Sequence, residues 1–150
     1  MSLNAEEVLG LIPQQKPFRF VDQIETVSSS SIVGNYRFRD DESFYAGHFP
    51  TRPVTPGVIL LETMCQVGVV ALGIYLLSEE VPPHEVSGWT TMFSDAQVEF
   101  LRPVFPGERV RIRGERMLWR RMKLRARIEM HNERGELVAT ATASGIGVRL

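Results

Sequence analysis

The residues best suited to chemistry lie in one stretch, Tyr45-Ala46-Gly47-His48-Phe49-Pro50-Thr51-Arg52-Pro53-Val54-Thr55-Pro56-Gly57-Val58-Ile59-Leu60-Leu61-Glu62. A histidine stands in a loop braced by prolines, and a glycine follows where a helix should begin. A carboxylate then falls about two turns into an otherwise apolar run. A lone histidine in such a loop is ordinarily a hydrogen-bonded loop residue, and Gly57 alone would be explained by close packing. Glu62 is harder to explain as structure, because a buried carboxylate without a partner or a task is expensive. Together the three assemble an acid–base pair beside the donor-rich end of a helix.

Several elements must position this stretch. A short helix over Ala5–Leu11 stops at Pro13, and strands are expected at Phe18–Val27 and Ile32–Phe38 around a serine turn. A Gly/Pro-rich loop over Asp40–Pro53 leads into the long apolar segment Gly57–Leu77. Thr55 is placed to cap that helix and Pro56 to open it. Glu62, Thr63 and Gln66 interrupt its first half, and the remaining apolar run is too short to span a bilayer. A helix apolar on nearly every side is a buried one. Everything after Pro83 reads as β-structure: Gly88–Leu101, Glu108–Trp119, Met122–Asn132 and Glu136–Val148, with turns at Arg120-Arg121 and Glu133-Arg134-Gly135. The alternation of Lys123, Arg125, Arg127 and Glu129 with Leu124, Ala126, Ile128 and Met130 gives one wet face and one core face. The fold class is α+β, a buried helix held against a curved antiparallel sheet.

The chain has 150 residues, 43% hydrophobic and 23% charged, with formal net charge −1. These values describe a single globular domain over residues 1–150 and exclude a disordered chain. The single cysteine, Cys65, excludes an internal disulfide and any multi-cysteine zinc site, and reads as a small core residue. No signal peptide pattern opens the sequence, so a cytoplasmic setting is the expectation. Residues 101–150 carry a charge of +7 and residues 1–100 a charge of −8. A basic surface of that kind suits an acidic partner, although Arg109, Arg111 and Arg113 alternating with Val110 and Ile112 also fit the wet face of a strand. No recognition helix or aromatic RNA-binding motif accompanies it, which argues against nucleic acid. His84 and His131 have no metal-ligand spacing with other candidates, so no metal site is expected. Trp89 and Trp119 read as packing aromatics.

The run Gly47-His48-Phe49-Pro50, Arg52-Pro53-Val54, Pro56-Gly57-Val58, Glu62 and Gln66 resembles the β-hydroxyacyl-acyl-carrier-protein dehydratases of bacterial fatty-acid synthesis. Pro17-Phe18 with Val21-Asp22, and Phe100 with Arg102-Pro103-Val104 and Pro106-Gly107, extend the likeness over about residues 10–148. The resemblance implies a hot-dog fold and dehydration of 3-hydroxyacyl thioesters to trans-2-enoyl thioesters. It assigns His48 as base, Glu62 as acid and the Gly57 N–H as the donor to the thioester oxygen. Neutral imidazole is a competent base near pH 7, and Ile59, Leu60, Leu61 and Met64 give Glu62 a reason to keep its proton. No cofactor is implied. The implied partners are acyl carrier protein and a second copy of the chain, with each site shared across a dimer that the family commonly builds into a trimer of dimers.

Two departures bear on chain length and gating. Gln14-Gln15-Lys16 stand where the family carries a histidine and arginine, and Thr91-Met92 replace an aromatic pair bordering the acyl tunnel. They leave room for a specialised pathway such as polyketide or aryl-polyene synthesis. The alternatives are a hot-dog acyl thioesterase, which activates water at the carbonyl, and a non-catalytic acyl-binding subunit, which needs no His48–Glu62 pair.

Overall fold

The structure, a computed structural model, describes residues 2–150. Helix α1 (Ala5–Leu11) starts at Asn4, whose side chain accepts from the Glu7 N–H while the Glu7 carboxylate accepts from the Asn4 N–H. This reciprocal cap satisfies two otherwise free donors. Strands β1 (Gln23–Val27) and β2 (Ser31–Arg37) follow, then a 3-10 turn at Ser43–Ala46 and the long helix α2 (Gly57–Ser78). After a one-turn helix α3 (Pro83–Val86) come β3 (Trp89–Phe100), β4 (Arg109–Arg120), β5 (Lys123–Asn132) and β6 (Leu137–Arg149).

The six strands form one antiparallel sheet in the order β1-β2-β4-β5-β6-β3. Register shifts between Ile24 and Thr26, Phe93 and Asp95, Arg116 and Leu118, and Met130 and His131 bend it. The concave face closes on α2 in the hot-dog arrangement. Val67, Val69, Ala71 and Leu72 of the helix are buried with Ile112, Leu124, Ala126 and Ile128 of the sheet. Contact is closest where helix and sheet meet through glycine. A Cβ on Gly114 would lie 2.9 Å from the Gly68 Cα, and one on Gly68 would lie 2.6 Å from Ile128 Cδ1. Across that approach, Gln66–Ala71, the helix widens into π turns between α-helical Gly57–Cys65 and Leu72–Ser78.

Four local expectations are corrected. Pro56 is the residue before the helix rather than its first, and Thr55 caps nothing: its Oγ1 pairs with the Tyr45 hydroxyl at 2.6 Å while its N–H donates to the Val104 carbonyl. The first strand begins at Gln23 instead of Phe18, because the Phe18 carbonyl and Phe20 N–H are bonded to the Gln66 side chain and not to a neighbouring strand. Pro83–Val86 is helical, with Pro83 at a first-turn position where its missing N–H costs nothing. The β4–β5 turn falls one residue later than expected, with Arg121 (φ 51) and Met122 (φ 62) both left-handed.

Candidate active site

His48 is held on both its backbone and its ring by Val54, and its N–H donates to the Tyr45 carbonyl at 3.3 Å. The Val54 N–H donates to the His48 carbonyl at 3.0 Å, and His48 Nδ1 lies 2.8 Å from the Val54 carbonyl. A carbonyl only accepts, so Nδ1 carries the hydrogen and Nε2 keeps its lone pair. The ring stacks on Phe49 with centroids 4.2 Å apart. The loop is thereby a short closed hairpin that presents a basic nitrogen in a fixed orientation.

Glu62 lies half-buried on α2. Its Oε2 accepts from Gln66 Nε2 at 2.8 Å. Burial pushes the Glu62 carboxyl above its ordinary value and outweighs the opposing Gln66 hydrogen bond. Gln66, fully buried, also donates to the Phe18 carbonyl at 2.8 Å and accepts from the Phe20 N–H at 2.7 Å. One amide thus fastens the segment before β1 to α2 and fixes the carboxyl that shares its face. A cavity of about 70 Å³ opens at Glu62, walled by Gln14, Cys65, Val69, Val70, Thr91 and Phe93. His48 is not among its walls.

At the start of α2, the Gly57 and Val58 N–H groups precede the first intrahelical bonds, which run from Ile59 and Leu60 to the Pro56 carbonyl. A side chain at Gly57 would press on the Phe100 ring, whose carbons lie 3.1 Å from the Cβ position, so close packing also requires this glycine. Gly57 lines a shallow depression with Thr55, Leu60, Phe100, Leu101, Arg102 and Pro103. The same helix therefore carries a free donor at its end and, in its second turn, a carboxyl whose pKa burial raises.

Other singled-out residues fall into structural roles. Cys65 is buried and burial pushes its thiol up to about 12, which makes it inert near neutral pH. Trp119 Nε1 donates to Glu80 Oε1 at 2.8 Å. Among the described residues, no group of three or more His, Cys, Asp or Glu is placed to hold a metal ion. Gln66 and the Val54 carbonyl were not assigned roles from sequence. A glutamine four residues after Glu62 on an apolar helix is the signal that finds the first; nothing in the sequence marks the second.

Residues 12–142 match the model of the FabA-like domain family. The chain belongs to that family. Its FabA-like domain is 34% identical over 114 residues to a protein named 3-hydroxyacyl-[acyl-carrier-protein] dehydratase FabZ from Clostridium perfringens (strain SM101 / Type A), covering 75% of this chain and 76% of that one. It is 36% identical over 121 residues to the FabZ of Geotalea uraniireducens (strain Rf4), covering 79% of each. Among solved structures, the domain is similar to a hypothetical thioesterase protein from Streptococcus pneumoniae TIGR4 determined with coenzyme A, with a TM-score of 0.62 at 16% identity over 85% of each chain. At that identity the likeness is one of fold.

Proposed function

We propose that this FabA-like chain is a hydro-lyase that removes water from 3-hydroxyacyl thioesters borne on acyl carrier protein, giving trans-2-enoyl thioesters in fatty-acid or related biosynthesis. The observation that carries the reading is Glu62, a half-buried carboxyl whose pKa burial raises, lining a cavity in a chain related to FabZ dehydratases. His48 Nε2 takes the proton from C2, and the electron pair moves onto the thioester oxygen, where the Gly57 N–H stabilises it. The pair then returns to form the C2–C3 double bond. The C3–oxygen bond breaks as Glu62 gives its proton to the departing hydroxyl, and water leaves. Proton transfers account for every step, so the elimination needs no cofactor.

A site built by two copies of the chain fits this scheme. β3 is one of the two edge strands of the sheet, twelve residues long, and it exposes Met92 (58%) and Phe93 (50%). An apolar edge of that length invites pairing with a second copy. His48 of one protomer would then meet Glu62 of its partner at two equivalent sites. Such dimers would associate further as a trimer of dimers. The reading also takes the enzyme as soluble and cytoplasmic. α2 is long and apolar enough to cross a membrane, but it is the helix enclosed by the sheet, with 61% of its most apolar window buried.

The test offers the purified chain a 3-hydroxyacyl and a saturated acyl thioester on carrier protein, measuring enoyl thioester and free thiol separately. Enoyl product without thiol, lost in His48→Ala, is the expected result. Thiol release from both substrates would establish the thioesterase alternative instead.

A further inference from the structure

Tyr45 and Thr55 are buried, 5% and 4% exposed, and their side chains meet: the Tyr45 hydroxyl lies 2.6 Å from Thr55 Oγ1. Burial pushes the Tyr45 hydroxyl up to about 12, so it is uncharged near neutral pH. A neutral pair of this kind adds little net stability, because each hydroxyl gives up water to gain the other. A phenylalanine against a valine would fill the same space with no polar group to satisfy. What the two hydroxyls add is a set distance and direction, which apolar contact lacks.

The pair closes the base of the loop that presents His48. Tyr45 belongs to the 3-10 turn at Ser43–Ala46, and Thr55 stands two residues before Gly57. On the first side, the Tyr45 carbonyl accepts from the His48 N–H at 3.3 Å. On the second, Val54, next to Thr55, bonds both the His48 carbonyl and His48 Nδ1. The Thr55 N–H donates to the carbonyl of buried Val104 at 2.8 Å, which fixes that end against the segment leading to β4. His48 and Gly57 thus hang from the two sides of one junction.

Proton removal from C2 sends charge onto the thioester oxygen, an atom two bonds away. A base and an oxygen donor supplied by the same chain must therefore keep a set separation, and a misplacement of about 1 Å can cost about 10²-fold in rate. Resting on the dehydratase reading, we propose that the Tyr45–Thr55 hydroxyl pair is a positioning clamp that sets His48 Nε2 against the Gly57 N–H. Tyr45 is not among the walls of the depression at Gly57 or of the cavity at Glu62, so it acts through the loop and not on substrate.

Tyr45→Phe removes one hydroxyl and keeps the ring that packs on Phe44; Thr55→Val removes the other at nearly constant volume. Each single change leaves a buried hydroxyl unpaired and should lower Tm, whereas the double variant leaves none and should recover most of that loss. Turnover should part from stability. In both single variants kcat for enoyl formation should fall about ten- to hundredfold and stay low in the double, with KM of Tyr45→Phe changed by less than about twofold. Thr55→Ser, which keeps the hydroxyl, should recover most of the turnover that Thr55→Val loses. A second measurement does not depend on the reaction: ¹⁵N NMR of the His48 ring at a pH where imidazole is neutral, its signals assigned by their loss in His48→Ala. The parent should show one tautomer, with the hydrogen on Nδ1, and the double variant shifts averaged between two, because Val54 no longer holds the ring. A kcat that returns with Tm in the double variant would overturn the proposal, as would ring shifts identical in parent and double variant. Averaged shifts in the double variant of a protein that forms no enoyl product would uphold the clamp and refute the dehydratase reading.

Discussion

A glutamic acid of ordinary pKa is ionised near neutral pH and has no proton to give. Glu62 is shifted toward its protonated form because burial disfavours its charge more than the Gln66 hydrogen bond favours it. Activity that needs the protonated form should therefore fall as pH rises through a value above the usual carboxyl range, visible as the alkaline limb of kcat/KM. Glu62→Gln cannot deliver a proton and should lose about 10²–10⁴ in turnover, the ordinary worth of general acid catalysis. Stability moves the other way. The folded chain holds this proton more tightly than the unfolded one, so its contribution is full below the ordinary carboxyl value of 4.5 and is lost as pH rises through the folded value. Relative to the parent, Glu62→Gln should gain in Tm across that same rise, measured by thermal melts from acid to neutral pH. His48, Gly57 and Glu62 could be singled out from the sequence because they share one short motif. The Gln66 clamp was not, since its partners Phe18 and Phe20 lie 48 and 46 residues away and backbone groups leave no signature in sequence.

The long helix and the four C-terminal strands were readable to within about a residue, because hydrophobic content and alternation are strong over ten or more positions. Local chemistry misled where tertiary partners intervened. Thr55 has the right type for a cap but is claimed by Tyr45, and Phe18–Asp22 has strand-like residues whose backbone is claimed by Gln66. The π turns at Gln66–Ala71 coincide with the close approach of Gly68 to Gly114 and Ile128, which periodicity does not reveal. Within α2 the two interior glycines should respond oppositely to alanine. Gly73→Ala should raise stability by about 1 kcal/mol, or about 2–4 °C in Tm, because no atom opposes the added methyl. Gly68→Ala should lower Tm, because its methyl would collide with Ile128.

Over the whole molecule, the split between a basic C-terminal third and an acidic remainder is partly internal. Arg111 pairs with Glu25 at 2.9 Å, Arg125 with Asp95 at 3.4 Å and Arg149 with Glu85 at 3.8 Å. The wet sheet face accounts for those cations. Arg102 differs in position: it lines the depression at Gly57, where a pantetheine arm would enter, and is anchored to the Leu137 carbonyl and Glu136. Arg120, Arg121 and Lys123 lie instead on the β4–β5 hairpin, whose Trp119 and Met122 line a separate apolar cavity of about 30 Å³. Docking of an acidic carrier at Arg102 should make kcat/KM fall as salt rises, while a short pantetheine thioester changes little. Arg102→Glu should reproduce that selective loss. Equal salt sensitivity for both substrates would remove electrostatic docking. The central claim, one acid–base pair shared between two copies of the chain, is tested most directly by mixing inactive His48→Ala and inactive Glu62→Gln subunits. With random reassortment of equal amounts, about half the dimers are mixed and hold one intact site each, so roughly a quarter of wild-type activity should return. Silence despite demonstrated subunit exchange would contradict the account, because it is the result expected when each site takes His48 and Glu62 from one chain.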